Sequence, residues 1–132
     1  MGYRSEVAFV ISFESKEKLD NYLAPRLLDG NLRHYRDKFS RLDHDEASVM
    51  FHHMEIKWYD NYHDVQALIQ LYQGAEEAGG AYNFVRIGED DTDIETEFGH
   101  TDSGVEAYTD DFYPVRYLNL PSTEKLTFGE EQ

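Results

Sequence analysis

Three short apolar runs, two of them followed by stretches of helical periodicity, leave this chain few ways to fold. The first, residues 7–13 (VAFVISF), is rich in β-branched and aromatic side chains and reads as a buried strand. Ser15 then stands as the N-cap of a helical pattern in which Leu19, Tyr22, Leu23 and Leu27 recur. Pro25 and Asp29-Gly30 interrupt that pattern, and Leu32, Tyr35 and Phe39 resume it, so one kinked helix or two short ones are predicted over 16–40. Residues 41–46 read as a polar connection. The second run, 49–59 (VMFHHMEIKWY), alternates as a strand does. Met50, His52, Met54, Ile56 and Trp58 share the face expected to be buried. Val49, Phe51, His53, Glu55 and Lys57 share the face expected to be at least half wet. Asp60 or Asn61 is the expected cap of a second helix, in which Val65, Leu68, Ile69, Tyr72 and Ala75 keep i, i+3, i+4 spacing until Gly79-Gly80 stops it.

The third run, 81–87 (AYNFVRI), is the next strand. Residues 94–98 alternate with acids and suit an edge strand, where charge discourages further pairing. Residues 115–120 (VRYLNL), behind Pro114, read as the last strand, and 121–132 as a frayed acidic tail. The order β-α-β-α-β-β-β predicts a single α+β domain over residues 1–120. Two helices would pack on one face of a mainly antiparallel sheet of four or five strands. A ferredoxin-like βαββαβ layout, with 47–59 split into two strands, is the alternative. At 132 residues the chain is one domain's worth and can bury a real core.

Charge narrows the function classes. The chain holds 27 Asp and Glu against 12 Lys and Arg, a net charge of −15. The imbalance is uneven: residues 1–41 carry a net +2 and residues 42–132 a net −17. Residues 87–115 contain no Lys or Arg at all. Direct nucleic-acid binding is disfavoured, because neutralising phosphates takes clustered basic residues. The carboxylates Glu89, Asp90, Asp91, Asp93, Glu95, Glu97, Asp110 and Asp111 are instead the candidate contacts for a basic partner surface. The aromatic and aliphatic residues among them, Ile94, Phe98, Tyr108 and Phe112 included, argue for an ordered surface rather than a purely solvating stretch. No cysteine is present, which removes disulfides, thiolate metal sites and cysteine nucleophiles. No apolar run approaches the roughly 18–20 residues of a membrane span, and the first residues lack a signal-peptide core. A soluble protein is expected.

No motif fixes a chemistry. Adjacent His52 and His53 point to opposite faces of a strand, and with His44 and His63 they form no zinc spacing, so no metal site is expected. The run Glu89-Asp90-Asp91-x-Asp93-x-Glu95 has the composition of a cation loop without the EF-hand glycine and final glutamate. The glycine-rich phosphate loops and the Gly-x-Ser-x-Gly nucleophile motif are absent. No catalytic residue and no cofactor are assigned. The aromatic and polar cluster 57–64 (KWYDNYHD) sits at a strand-to-helix junction, where it reads first as a hinge seating the helix and second as a contact patch.

Three segments carry a resemblance. MGYRSEV at residues 1–7, KWYD at 57–60 with DVQ at 64–66, and RIGED at 86–90 together resemble a family of short, largely uncharacterised proteins of tailed bacteriophages. The likeness runs to about residue 90, with a weaker echo at Tyr113-Pro114-Val115-Arg116. It brings no catalytic residues with it. What it implies is a small protein that binds and disables host machinery in the host cytoplasm, with defence systems (anti-CRISPR action among them) as targets. The acidic surface would then stand in for nucleic acid against a basic, nucleic-acid-binding host protein. An interaction protein without mimicry, able to form a homodimer, and less readily a metal-dependent enzyme using His52 or His63, are the other readings.

Overall fold

A computed structural model describes residues 3–42, 45–90, 92–100 and 123–125. The first apolar run forms β1 (Ser5–Ser12), whose eight residues are all buried. That burial explains why the run does not alternate: a strand paired on both edges and covered on both faces has no wet side. Helix α1 (Lys16–Arg26) begins at Ser15, whose Oγ accepts the Lys18 N–H at 3.2 Å, and ends one residue after Pro25. The resumed periodicity is a 3₁₀ helix (Arg33–Lys38), so the two-helix version of the 16–40 expectation holds. Next come β2 (Phe39–Leu42), β3 (Asp45–Ile56), α2 (His63–Glu77), β4 (Ala81–Ile87), β5 (Ile94–His100) and β6 (Thr123–Lys125).

The strands form one sheet in the order β5-β4-β1-β3-β2-β6, antiparallel at every pairing. Its inner four, β4-β1-β3-β2, have the split βαββαβ arrangement. The α+β expectation therefore holds, with two helices on one face. The βαββαβ layout comes about differently from the way the sequence suggested. Residues 45–56 are one strand, and the additional strand is β2, which sequence reading divided between a helix and a polar connection. The strand expected at 115–120 lies outside the described residues. Thr123–Lys125, within the expected tail, pairs with β2.

Four phenylalanines lie on one register line across the helix-covered face: Phe39 opposite Phe51, Phe51 opposite Phe9, and Phe9 opposite Phe84. The Phe9 and Phe51 rings stack at 4.9 Å, and Tyr72 of α2 lies 5.0 Å from both Phe9 and Phe84. Leu19 and Leu23 of α1 and Leu68 and Ala75 of α2 complete this core. A smaller cluster on the opposite face contains Ala8, Val10, Met50, Val85 and Ile87.

The face assignment of β3 is corrected by the structure. Val49 and Phe51, expected on the wetter face, are fully buried beneath the helices, whereas Met54 is 50 % exposed. The cause is a β-bulge. Ser5 pairs with Ile56 but Val7 pairs with His53, so β3 spends one residue more than β1 between these pairs. A bulge exchanges the faces of every residue beyond it. Ile56 thereby joins Phe51 and Val49 in the helix-side core, although strict alternation would separate them.

Candidate functional site: an acidic, aromatic groove

A cavity of about 460 Å³ runs between α2 and the β4–β5 hairpin on the helix side of the sheet. Alternation builds one wall. Glu95 and Glu97 are two residues apart on β5 and face the same way, opposite Arg86 and Phe84 of β4. The facing wall is Tyr72 and Gln73 of α2, and Trp58 and Tyr59 close one end. The mouth is set by Tyr3, which ties three segments together. Its N–H donates to the Tyr59 hydroxyl at 2.6 Å, its hydroxyl donates to Asp93 Oδ2 at 2.8 Å, and the same oxygen accepts the Asp90 N–H at 3.1 Å.

The expected acidic contacts separate into different roles. Asp93 accepts two bonds from Arg86, at 2.9 and 3.2 Å, and Glu95 accepts a third at 3.0 Å. The Arg86 hydrogen bond, then that of Tyr3, holds the Asp93 carboxyl below its ordinary value. Burial works to lower the Arg86 pKa, but its bonds to Asp93 and Glu95 outweigh that and raise it. Glu97 Oε2 accepts from Tyr82 at 2.6 Å and from Gln73 at 2.9 Å. Burial, followed by that bond to Glu97, pushes the Tyr82 phenol up. Asp90 is spent on its own turn, where it accepts the Thr92 N–H and hydroxyl at 2.9 and 2.8 Å. Glu89 is exposed. The structure therefore brings Asp93, Glu95 and Glu97 together in the groove and leaves Glu89 and Asp90 on the turn before it. Asp91, Asp110 and Asp111 lie outside the described residues.

Sequence reasoning missed Tyr3, Tyr72, Gln73 and Arg86 as site residues. Arg86 carried a usable signal, being the one cation inside residues 58–115. Tyr72 carried none, because its spacing is that of any core residue of an amphipathic helix.

Gly88 sits beneath the Tyr3 latch. A Cβ there would collide with the Tyr3 hydroxyl and the Asp93 carboxylate. Gly88→Ala should therefore cost roughly 1–2 kcal/mol, the low end for overpacking, because the colliding atoms are the ends of side chains that can swing aside. Urea unfolding of the variant measures the loss. In a Tyr3→Ala background the same substitution should cost distinctly less, which a double-mutant cycle reads directly.

His52, His53 and His63 do not converge, and His44 lies outside the described residues. His52 Nε2 lies 2.7 Å from Glu6 Oε2 on the face away from the helices. His53 faces the other way, against the Tyr35 ring, with its pKa lowered first by burial and then by Lys38. His63 opens α2 and is exposed. The expected cap from Asp60 or Asn61 is replaced by Tyr62 as N-cap, and Asp64 Oδ1 accepts the Val65 N–H instead. Among the described residues, no group of three or more His, Asp or Glu is arranged to hold a metal ion, and no helix is long and apolar enough to cross a membrane. A larger cleft, about 640 Å³ between the end of α1 and α2, is lined by Pro25, Leu28, Leu32 and Leu71 with Arg26 and Asp29, charges of opposite sign that converge on no one ligand chemistry.

Comparison with protein-family models, with curated proteins and with solved structures found no match.

Proposed function

We propose that this is a phage-encoded accessory protein that binds and inhibits a basic host protein, presenting β5 and the turn before it to a surface that otherwise contacts nucleic acid. The supporting observation is the groove itself, where four carboxylates and one guanidinium lie among the aromatic side chains Tyr3, Trp58, Tyr59 and Tyr72. Aromatic anchors supply contact area, while the surplus negative charge steers a basic partner and rejects an acidic one. The bacteriophage resemblance supplies the host setting.

The test is a pull-down from nuclease-treated host lysate at low and high salt, with duplex DNA as competitor. The expected result is a basic protein retained at low salt, released by salt and displaced by DNA. Retention that neither salt nor DNA changes would overturn the reading. Reversing charges across 89–97 is a poor control, because it breaks the Arg86 ion pairs and the Tyr82–Glu97 bond as well as the surface charge. The near-isosteric Glu89→Gln and Glu97→Gln separate the two effects better.

A second reading, a self-associating interaction protein without mimicry, is favoured by one observation. Phe98 and Ile94, on the face of β5 away from the groove, are 72 % and 43 % exposed. Dimerisation insensitive to salt and lost in Phe98→Ser would favour it.

A further inference from the structure

We propose that the groove is the seat of one arginine side chain, whose N–H groups are received by the Tyr72 hydroxyl and by free oxygens of Glu95 and Glu97, with the Trp58 ring offered to its plane. The proposal rests on the basic-partner reading above and names what that partner inserts.

The first observation is Tyr72. It is only 2 % exposed, and its ring is held by Phe9, Tyr82 and Phe84. Other buried tyrosines spend their hydroxyls within the protein: Tyr22 donates to the Leu71 carbonyl at 2.7 Å, Tyr35 to Asp64, and Tyr82 to Glu97. The Tyr72 hydroxyl has no such partner among the described residues. No buried side-chain polar atom that is shut off from solvent goes unpaired there either. The hydroxyl must therefore reach the groove that Tyr72 lines. Burial first, then Glu97 and Glu95, raises its pKa, so it stays a neutral phenol that can accept a hydrogen bond.

The second observation is the supply of acceptors. Glu97 uses Oε2 for both of its bonds, and Glu95 uses Oε1 for its bond to Arg86. Glu97 Oε1 and Glu95 Oε2 accept nothing among the described residues. Arg86 already bonds Asp93, Glu95 and Ser5, and its one positive charge against Asp93, Glu95 and Glu97 leaves the groove net negative. Several acceptors around one cavity with an aromatic end suit a planar guanidinium. It presents five N–H donors in a fixed fork and stacks on indole, whereas an ammonium offers three donors at a point.

Trp58 is the single tryptophan of the chain and lines the groove, so its fluorescence reports occupancy. The full chain is titrated with a short Gly-Ser peptide carrying one central arginine, and with the same peptide carrying lysine or the uncharged isostere citrulline. Expected are a saturable change with arginine, weaker binding of lysine, and none of citrulline. Tyr72→Phe should weaken arginine binding roughly tenfold, the worth of one hydrogen bond to a charged group, while keeping the wild-type thermal midpoint because the hydroxyl bonds none of the described residues. Equal response to arginine and citrulline, equal affinity for arginine and lysine, no saturable change, or unaltered affinity in Tyr72→Phe would each overturn the proposal. If the arginine peptide fails while salt-sensitive, DNA-competed capture persists, the groove assignment alone falls. If the peptide binds but capture fails, the partner reading falls.

Discussion

Phe51→Ala should destabilise the protein by about 3–5 kcal/mol, the range for removing a buried phenylalanine. Phe51 is 0 % exposed. Its ring stacks on Phe9 and meets Phe39 and Tyr35 edge-on, at 5.1 and 5.9 Å. Truncation would open a hole in the middle of the phenylalanine row, with strands on either side too firmly paired to collapse into it. The comparison that gives the measurement its force is Met54→Ala three residues on. Met54 is half exposed, so its loss should stay within about 0.5 kcal/mol. Strict alternation along 49–59 predicts the reverse ranking. Denaturant unfolding of the two variants therefore tests the bulge between the Ser5 and Val7 pairings as well as the core. With total stability of about 5–15 kcal/mol for a domain, Phe51→Ala could leave little folded protein, and it should be measured at low temperature with a stabilising osmolyte.

The second large effect is expected at Asp20→Ala. Arg41 of β2 is 3 % exposed. Its Nη2 donates to Asp20 Oδ1 of α1 at 2.9 Å and its Nη1 to the Glu46 carbonyl at 2.6 Å. Removing the carboxylate takes an ion-pair partner from a buried guanidinium that cannot lose its proton. Breaking a buried pair from one side costs about 3–5 kcal/mol, and Asp20, whose side chain is partly exposed, points to the low end. The surface pair Lys18–Glu14 is the control: Glu14→Ala should change stability by under about 0.5 kcal/mol, since both partners are well exposed. Replacing both Asp20 and Arg41 with apolar residues should recover much of the loss, because the penalty lies in a buried charge deprived of its carboxylate rather than in the missing bond.

These two sites also mark where the sequence stopped being legible. Helix α2 could be read because its five apolar positions share one period, and β1 and β4 because fully or mostly buried strands concentrate β-branched and aromatic residues. Strand β2 could not. Phe39 continues a helical spacing from Leu32 and Tyr35, and Arg41 reads as solvated until Asp20 is known to reach it from another element. The bulge was hidden for the same reason, since register is a property of two strands and appears in neither alone. At the groove, charge picked out Asp93, Glu95 and Glu97 and aromatic density picked out 57–64. What joins them is Tyr3, whose N–H bonds the Tyr59 hydroxyl and whose own hydroxyl bonds Asp93, and both are contacts between segments distant in the chain.

The position of β1 has a consequence for how the protein comes into being. It precedes the other described strands of the sheet in the chain and lies inside it, flanked by β3 on one side and β4 on the other. Its apolar run must therefore wait for partners encoded up to Ile87. At about 5–20 residues per second, that wait is on the order of 4–15 s of synthesis. β3, complete at Ile56, can cover one edge earlier, but the other edge of VAFVIS stays open until β4 has been made. Distant pairing of this kind slows folding and exposes the chain to mispairing, so yield during rapid expression should depend on temperature and chaperone supply more than the finished protein's stability alone would suggest.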